Sequence, residues 1–451
     1  MGSKTLREVA RSKVRRKPQV KGFWTTAWAT SMQGPYPTGN STGQPEMRFV
    51  FPSPERGACD QSFRMIVRPD VWGKQARIRF SNVLGTQPLT VTNVHVGLQA
   101  MGSAVLVGTT RSVKFKTRRK AVIAPGEFLW SDPIILDFIK SPDDPLLTGR
   151  KLAVSFHVVG ESGPMTWHAK ALQHSYLAAP SSPSRAAYEN EHGFPFPTTA
   201  WYFIDALDML TEQHTRVIVC FGDSITDGTG STISGDDRWP DVLSRRLHAK
   251  YGARISVVNQ GIGGNRILGP TNYLPTNATV GGPSALSRLD RDVLGLSGVA
   301  TIIWLEGIND FGNADSSLED LCDGVRQGVT RLRAGIPGVR VIMGSMTPTL
   351  GGNPATHGRP EVDFKRKQFN IFLETSSLFD GVINFELPTK DEKTGGLNPE
   401  MIPSSSVGGP GDGLHPNRIG YQAIGHAISI DLIFGPRRDP RPSPNQLRSA
   451  P

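Results

Sequence analysis

Four short stretches of the chain hold residues able to carry out acyl-transfer chemistry. An apolar run over 217–221 ends at Gly222-Asp223-Ser224, with Thr, Asp and Gly following to 230. This pattern reads as a buried strand that brings a serine hydroxyl to its end. Asp412 and His415 stand three residues apart in a polar loop. Asn259-Gln260-Gly261-Ile262-Gly263-Gly264-Asn265 supplies backbone amides, and Gly307-Ile308-Asn309-Asp310 supplies a carboxamide. Acyl transfer needs a hydroxyl nucleophile, a base for its proton and a carboxylate that orients the base. It also needs hydrogen-bond donors fixed in advance around the developing oxyanion. Every one of these groups is present.

The elements that must position them follow from the hydrophobic pattern. From about 214, strands alternate with helices: RVIVCFGDS, ISVVNQG, VATIIWLEG, VRVIMGSM and GVINFE read as strands. Helices are expected over 238–252, 284–296, 318–335, 363–379 and finally about 417–433, with a Gly/Pro/Ser-rich loop over 388–413. This grammar predicts a parallel sheet covered by helices on both faces, a three-layer, flavodoxin-like α/β domain. Sites in such sheets form beyond the carboxyl ends of the strands, where Ser224, the glycine stretch and Asn309 all fall.

Residues 22–212 read differently. KQARIRFSNV, LTVTNVHVGL, RSVKFK, KLAVSFHVVG and MTWHAKAL are short, rich in β-branched and aromatic residues, and separated by turn residues, which predicts an all-β sandwich, jelly-roll-like. No Gly/Pro/Ser spacer separates it from the strand at 216, so a tight junction with the second domain is expected. The division is thus a basic tail at 1–21, a sandwich at 22–212, an α/β domain at 213–435 and a Pro/Arg-rich tail at 436–451.

The formal charge of +10 lies in the two tails; residues 22–435 hold as many acidic as basic groups. The body therefore lacks the basic face expected of a nucleic-acid-binding domain. No window is apolar enough for a membrane span. The basic start lacks the apolar core of a secretory leader, which reads as cytoplasmic by default and as secreted or periplasmic if a leader has been removed. Three cysteines, Cys59, Cys220 and Cys322, make no disulfide framework. No cluster has metal-ligand spacing, and the glycine stretch lacks the third glycine of a dinucleotide loop, since position 266 is Arg; neither metal nor cofactor is expected. Oligomeric state is not legible.

With these blocks in order, the chain resembles the GDSL, or SGNH, hydrolases over about 214–435. Gly-Asp-Ser at 222–224, Asn259 to Gly264, Gly-x-Asn-Asp at 307–310 and Asp-x-x-His at 412–415 correspond to that family's four blocks. The resemblance implies a serine esterase with a catalytic triad: Ser224 as nucleophile, His415 as base, Asp412 orienting it. It implies an oxyanion hole made by the Ser224 amide, the Asn309 side chain and a glycine amide, Gly264 by the family's spacing, with Gly261 as the alternative. TDGTGST followed by RWP, together with the long β domain, is similar to xylan-esterase-like members, which implies acetylesterase activity on carbohydrate. A carboxylesterase or lipase acting on aryl, alkyl or lipid esters is the alternative, and a glycan-binding protein with a vestigial hydrolase domain is an alternative of another class. Asp310 reads as a loop-organising residue, Arg238 and Trp239 as a packed helix start, and the nine histidines other than His415 as structural or surface groups.

Overall fold

The computed structural model describes residues 22–434, apart from 213 and 354; the two tails lie outside the described residues. The first half is built of antiparallel strands. One sheet runs Phe23–Ala29, Ile204–Thr211, Gln75–Ser81, Phe128–Trp130; a second is centred on Cys59–Val67, Leu152–Glu161 and Leu89–Leu98. Their inner faces share one apolar core. Phe63 stacks on Phe156 at 5.2 Å, and Phe80, from the facing sheet, meets Phe156 edge-on at 5.2 Å. This is the anticipated β-sandwich. Phe23–Ala29 and Cys59–Val67 carry no alternating signal in the sequence, and the structure gives the reason: both are buried along most of their length, so no face had to be polar.

The second half is a five-stranded parallel sheet in the order Ile255–Gly261, Arg216–Gly222, Val299–Leu305, Arg340–Gly344, Gly381–Ile383. In chain order this is 2-1-3-4-5, the flavodoxin-like arrangement. Alternate residues of each strand enter two different cores. Val217, Val219, Phe221, Ile302 and Trp304 face one helical layer; Ile218, Cys220, Ile303 and Leu305 face the other. Both faces being covered, the strands read as unbroken apolar runs. The expected helices form with shifted ends. Pro360, suited to a first helical position, opens the helix Pro360–Thr375, and the last one is interrupted, as Arg418–Ala427 and Ile430–Phe434. The stretch at 284–296 is α-helical only over Ala285–Leu289 and continues as one π-helical turn, Asp290–Leu294.

The halves are joined by buried polar contacts. Ser256 Oγ donates to Thr26 O (2.7 Å) and Thr26 N to Ser297 O (3.0 Å), tying the sandwich strand Phe23–Ala29 to the α/β half. Arg68 pairs with Asp241 at 2.6 Å. Asp70 accepts from Ser244 Oγ, from His248 Nε2 (2.9 Å) and from Val257 N (2.6 Å). An exposed linker is replaced by an interface.

Candidate active site

Ser224, the glycine stretch and Asn309 sit where strands end, and Asp412 and His415 reach them from a loop. Arg216–Gly222 runs into the one-turn helix Ser224–Asp227, whose first residue is Ser224. Gly222 is required there, because a Cβ would run into Leu305 O of the neighbouring strand and Thr226 Oγ1. Asp223 caps the helix by accepting from Ile225 N at 2.9 Å. Its buried carboxyl is raised to about 7, chiefly by desolvation. The helix stops at Gly228, with φ +105°. The second strand's Asn259 donates to Thr226 O at 2.7 Å, which pins this helix to the glycine stretch.

The loop ahead of the helix Arg418–Ala427 brings Asp412 and His415 over Ser224. Asp412 Oδ1 accepts from the amides of Leu414 (3.0 Å) and His415 (2.9 Å), closing a tight turn. Asp412 Oδ2 lies 2.6 Å from His415 Nδ1, and His415 Nε2 lies 2.8 Å from Ser224 Oγ. The carboxylate only accepts, so Nδ1 carries the proton and Nε2 is left to accept the serine hydroxyl. Partial burial works to raise the Asp412 carboxyl. The hydrogen bond and charge of His415, with the two amides, outweigh it and hold Asp412 well below the usual carboxylate range.

Asn309 opens the helix Ile308–Ala314 after the third strand. Its Nδ2 spends one hydrogen on Asn265 O (2.9 Å) and keeps the other. The glycines of this stretch differ in how their amides are used. Gly261 N donates to Asn259 Oδ1 (2.9 Å) and Gly263 N to Asp227 Oδ2 (2.9 Å), while Gly264 N, at φ +81°, donates to nothing among the described residues. Gly261 is a glycine for packing: a Cβ there would strike the backbone of Asp227. Asp310 accepts from Ile267 N (2.9 Å) and Leu268 N (3.0 Å) and so organises the loop after the glycine stretch. Trp239 is fully buried against Phe385, and Arg238 binds Asp241 at 2.9 Å, a packed helix start.

Residues 220–423, a stretch that contains all of these groups, match the GDSL-like lipase/acylhydrolase family. That stretch is a GDSL-like lipase/acylhydrolase domain, and the enzyme class it carries is carboxylic ester hydrolase. Among curated proteins none matches the chain. Solved structures similar to it include Est24, a carbohydrate acetylesterase from Sinorhizobium meliloti, at 17% identity and TM-score 0.35, covering 47% of this chain and 96% of that one. Another carbohydrate acetylesterase family member from the same organism has 19% identity and TM-score 0.38, covering 49% and 100%. The M. smegmatis aryl esterase has 18% identity and TM-score 0.36, covering 47% and 96%.

Several residues around the GDSL site carried no signal that singles them out. Arg288, fully buried, ties the ends of the first two strands to the glycine stretch and to the sandwich. It donates to Gly222 O (2.8 Å), Gln260 O (2.8 Å), Asn265 Oδ1 (2.8 Å) and the sandwich's Ser31 Oγ (2.9 Å), and lies over the Phe221 ring at 4.0 Å. The sandwich also sends in His168, 3.1 Å from Asp227, and Lys170, which bonds Thr229 Oγ1. His168 ends the short strand Thr166–His168 and Lys170 lies in the turn that follows.

Glu306 follows the third strand, buried, with Oε2 accepting from Trp304 Nε1 (2.8 Å) and Oε1 without a partner among the described residues. Desolvation foremost raises it to about 8; the Arg288 charge opposes the shift, and Asp223 and Asp310 add to it. The folded value lies above the ordinary one, so the stabilisation from keeping Glu306 protonated is full below its ordinary range and is lost as pH rises through about 8. Glu306→Gln should therefore gain stability relative to the wild type between about pH 5 and pH 8, by up to roughly 1.4 kcal/mol per pH unit. Urea unfolding of both proteins across that range measures it; parallel pH profiles would show that Glu306 does not titrate there.

Proposed function

We propose that this GDSL domain hydrolyses short acyl esters, chiefly acetyl groups on carbohydrate, through an acyl-enzyme on Ser224. The observation that carries the mechanism is the run of hydrogen bonds Asp412–His415–Ser224, 2.6 and 2.8 Å long. Ser224 Oγ attacks the ester carbonyl carbon while its proton passes to His415 Nε2. The carbonyl oxygen becomes an oxyanion held by the three donors left unspent, the Ser224 and Gly264 amides and the second N–H of Asn309. His415 then gives the proton to the leaving alcohol oxygen as the C–O bond breaks. Water, deprotonated by the same nitrogen, attacks the acyl-enzyme and releases the acid.

The short acyl group is supported by the burial of the two groups that would meet it: Ser224 and Asn309 are each only 3% exposed. A carbohydrate alcohol is supported by the polar loops 227–237 and 388–413 that flank Ser224 and His415 in the chain, rich in Ser, Thr, Asp and Gly, and by the sequence resemblance to xylan-esterase-like members. The test is a panel of p-nitrophenyl esters from acetate to palmitate beside acetylated xylan and acetylated oligosaccharides. The expected result is a steep fall in kcat/KM beyond butyrate and release of acetate from the saccharides. Faster turnover of long chains would make the protein a lipase; turnover of aryl acetates alone would remove carbohydrate as the alcohol; no turnover at all would leave a binding protein.

A further inference from the structure

The loop after the fourth strand places a histidine behind the oxyanion amide. His357 is 6% exposed, and its Nε2 lies 3.0 Å from Asn309 Oδ1. Its Nδ1 lies 3.0 Å from Thr356 Oγ1. An amide oxygen only accepts, so Nε2 carries the proton and Nδ1 accepts from the threonine hydroxyl. Burial, with the charge of nearby His415, lowers the ring to about 4, so this neutral form is the one present at neutral pH. Room for the ring is made by Gly312, one turn along the Asn309 helix, where a Cβ would collide with the imidazole.

From these contacts we infer that His357 is a positioning residue that fixes which way the Asn309 carboxamide faces. Asn309 Oδ1 accepts from His357 Nε2 and from Asn313 Nδ2 (3.2 Å), while Nδ2 donates to Asn265 O (2.9 Å). A flipped amide would set oxygen against Asn265 O and N–H groups against the two donors, and would turn the unspent N–H away. In the observed orientation three hydrogen bonds agree, and the remaining N–H is fixed before substrate arrives, which is what oxyanion stabilisation requires. Without His357, Asn313 alone would hold the oxygen, and the amide would sample the flipped state.

This inference rests on the proposed oxyanion role of Asn309, and a double-mutant cycle on p-nitrophenyl acetate separates the two. His357→Leu should lower kcat about ten-fold, part of the 10²–10³ carried by a whole oxyanion donor, with KM changed less than about two-fold. His357→Gln, which keeps a donor at this position, should recover most of that loss. In an Asn309→Ala background, His357→Leu should cost less than about two-fold more. A ten-fold loss that persists without Asn309, or an unchanged kcat in His357→Leu, overturns the inference and leaves the oxyanion reading standing. Wild-type turnover by Asn309→Ala overturns the oxyanion reading itself and this inference with it. Should the leucine variant not fold, Thr356→Val serves in the same cycle: it frees the tautomer without emptying space, and should cost about three-fold in kcat only while Asn309 is present.

Discussion

Replacing Ser224 by alanine is expected to lower kcat on p-nitrophenyl acetate by about 10⁴-fold or more, as loss of a triad member does elsewhere. The reason is geometric. The distance from Ser224 Oγ to His415 Nε2 is 2.8 Å, and Asp412, 2.6 Å from the other nitrogen, would hold the ring in the accepting tautomer and stabilise the imidazolium that forms. Groups that work in series do not contribute separately. His415→Ala should be nearly as damaging alone, and adding it to Ser224→Ala should change the residual rate by less than about ten-fold. The residue of activity would come from the amides and from Asn309, which neither substitution touches. Steady-state kinetics of the four proteins decide the matter, together with mass-spectrometric detection of a serine-reactive phosphonate on wild type. A Ser224→Ala variant retaining a tenth of the rate would remove the nucleophile assignment.

Arg288→Met should be the most destabilising single change in the GDSL domain, by about 3–5 kcal/mol, as when a buried charge network loses one partner. Arg288 is the common donor for Gly222 O, Gln260 O, Asn265 Oδ1 and Ser31 Oγ, all of them buried or part-buried. Methionine has a similar reach and no donors, so these acceptors would be left without the donor they share. Asp292 would keep Arg291 (2.5 Å), whereas Asp223 and Glu306 would lose the nearby positive charge that tempers their raised values. Urea unfolding monitored by tryptophan fluorescence and by far-UV dichroism gives the loss; a midpoint unchanged within error would show that the network is not needed for stability.

The four blocks were legible because their constraints are local. A glycine that must pass Leu305 O, a serine opening a helix and an Asp-x-x-His turn each write themselves into a few adjacent residues. The alternation of strands and helices was legible because a sheet covered on both faces makes long apolar runs. Arg288 was not legible: in SALSRLDRDVLGL it looks like one more charge on a solvated helix, and only the strand ends folding around it give it acceptors. The same holds for Ser31, His168 and Lys170, whose partners lie in the other half of the chain, and for His357, one histidine in a loop. Use of a group could be read from its neighbours in sequence; use that depends on a distant partner could not. Gly261 and Gly264 show the boundary. The family's spacing points to Gly264 with Gly261 as the alternative, and only the fold shows that the amide of Gly261 is spent on Asn259 Oδ1.

The strand Phe23–Ala29 pairs with Ile204–Thr211, and the Thr25 and Thr211 hydroxyls that close the pair are 186 residues apart in the chain. On the ribosome, at about 5–20 residues per second, the first strand therefore waits roughly ten to forty seconds for its partner. Its partners in the other half, Ser256 and Ser297, are synthesised later still. During that interval FWTTAWA is an apolar edge with nothing to pair with, the kind of segment that captures the wrong strand. The sheet of the sandwich that holds this strand can thus be completed only once Ile204–Thr211 has been made, just ahead of the first strand of the GDSL sheet.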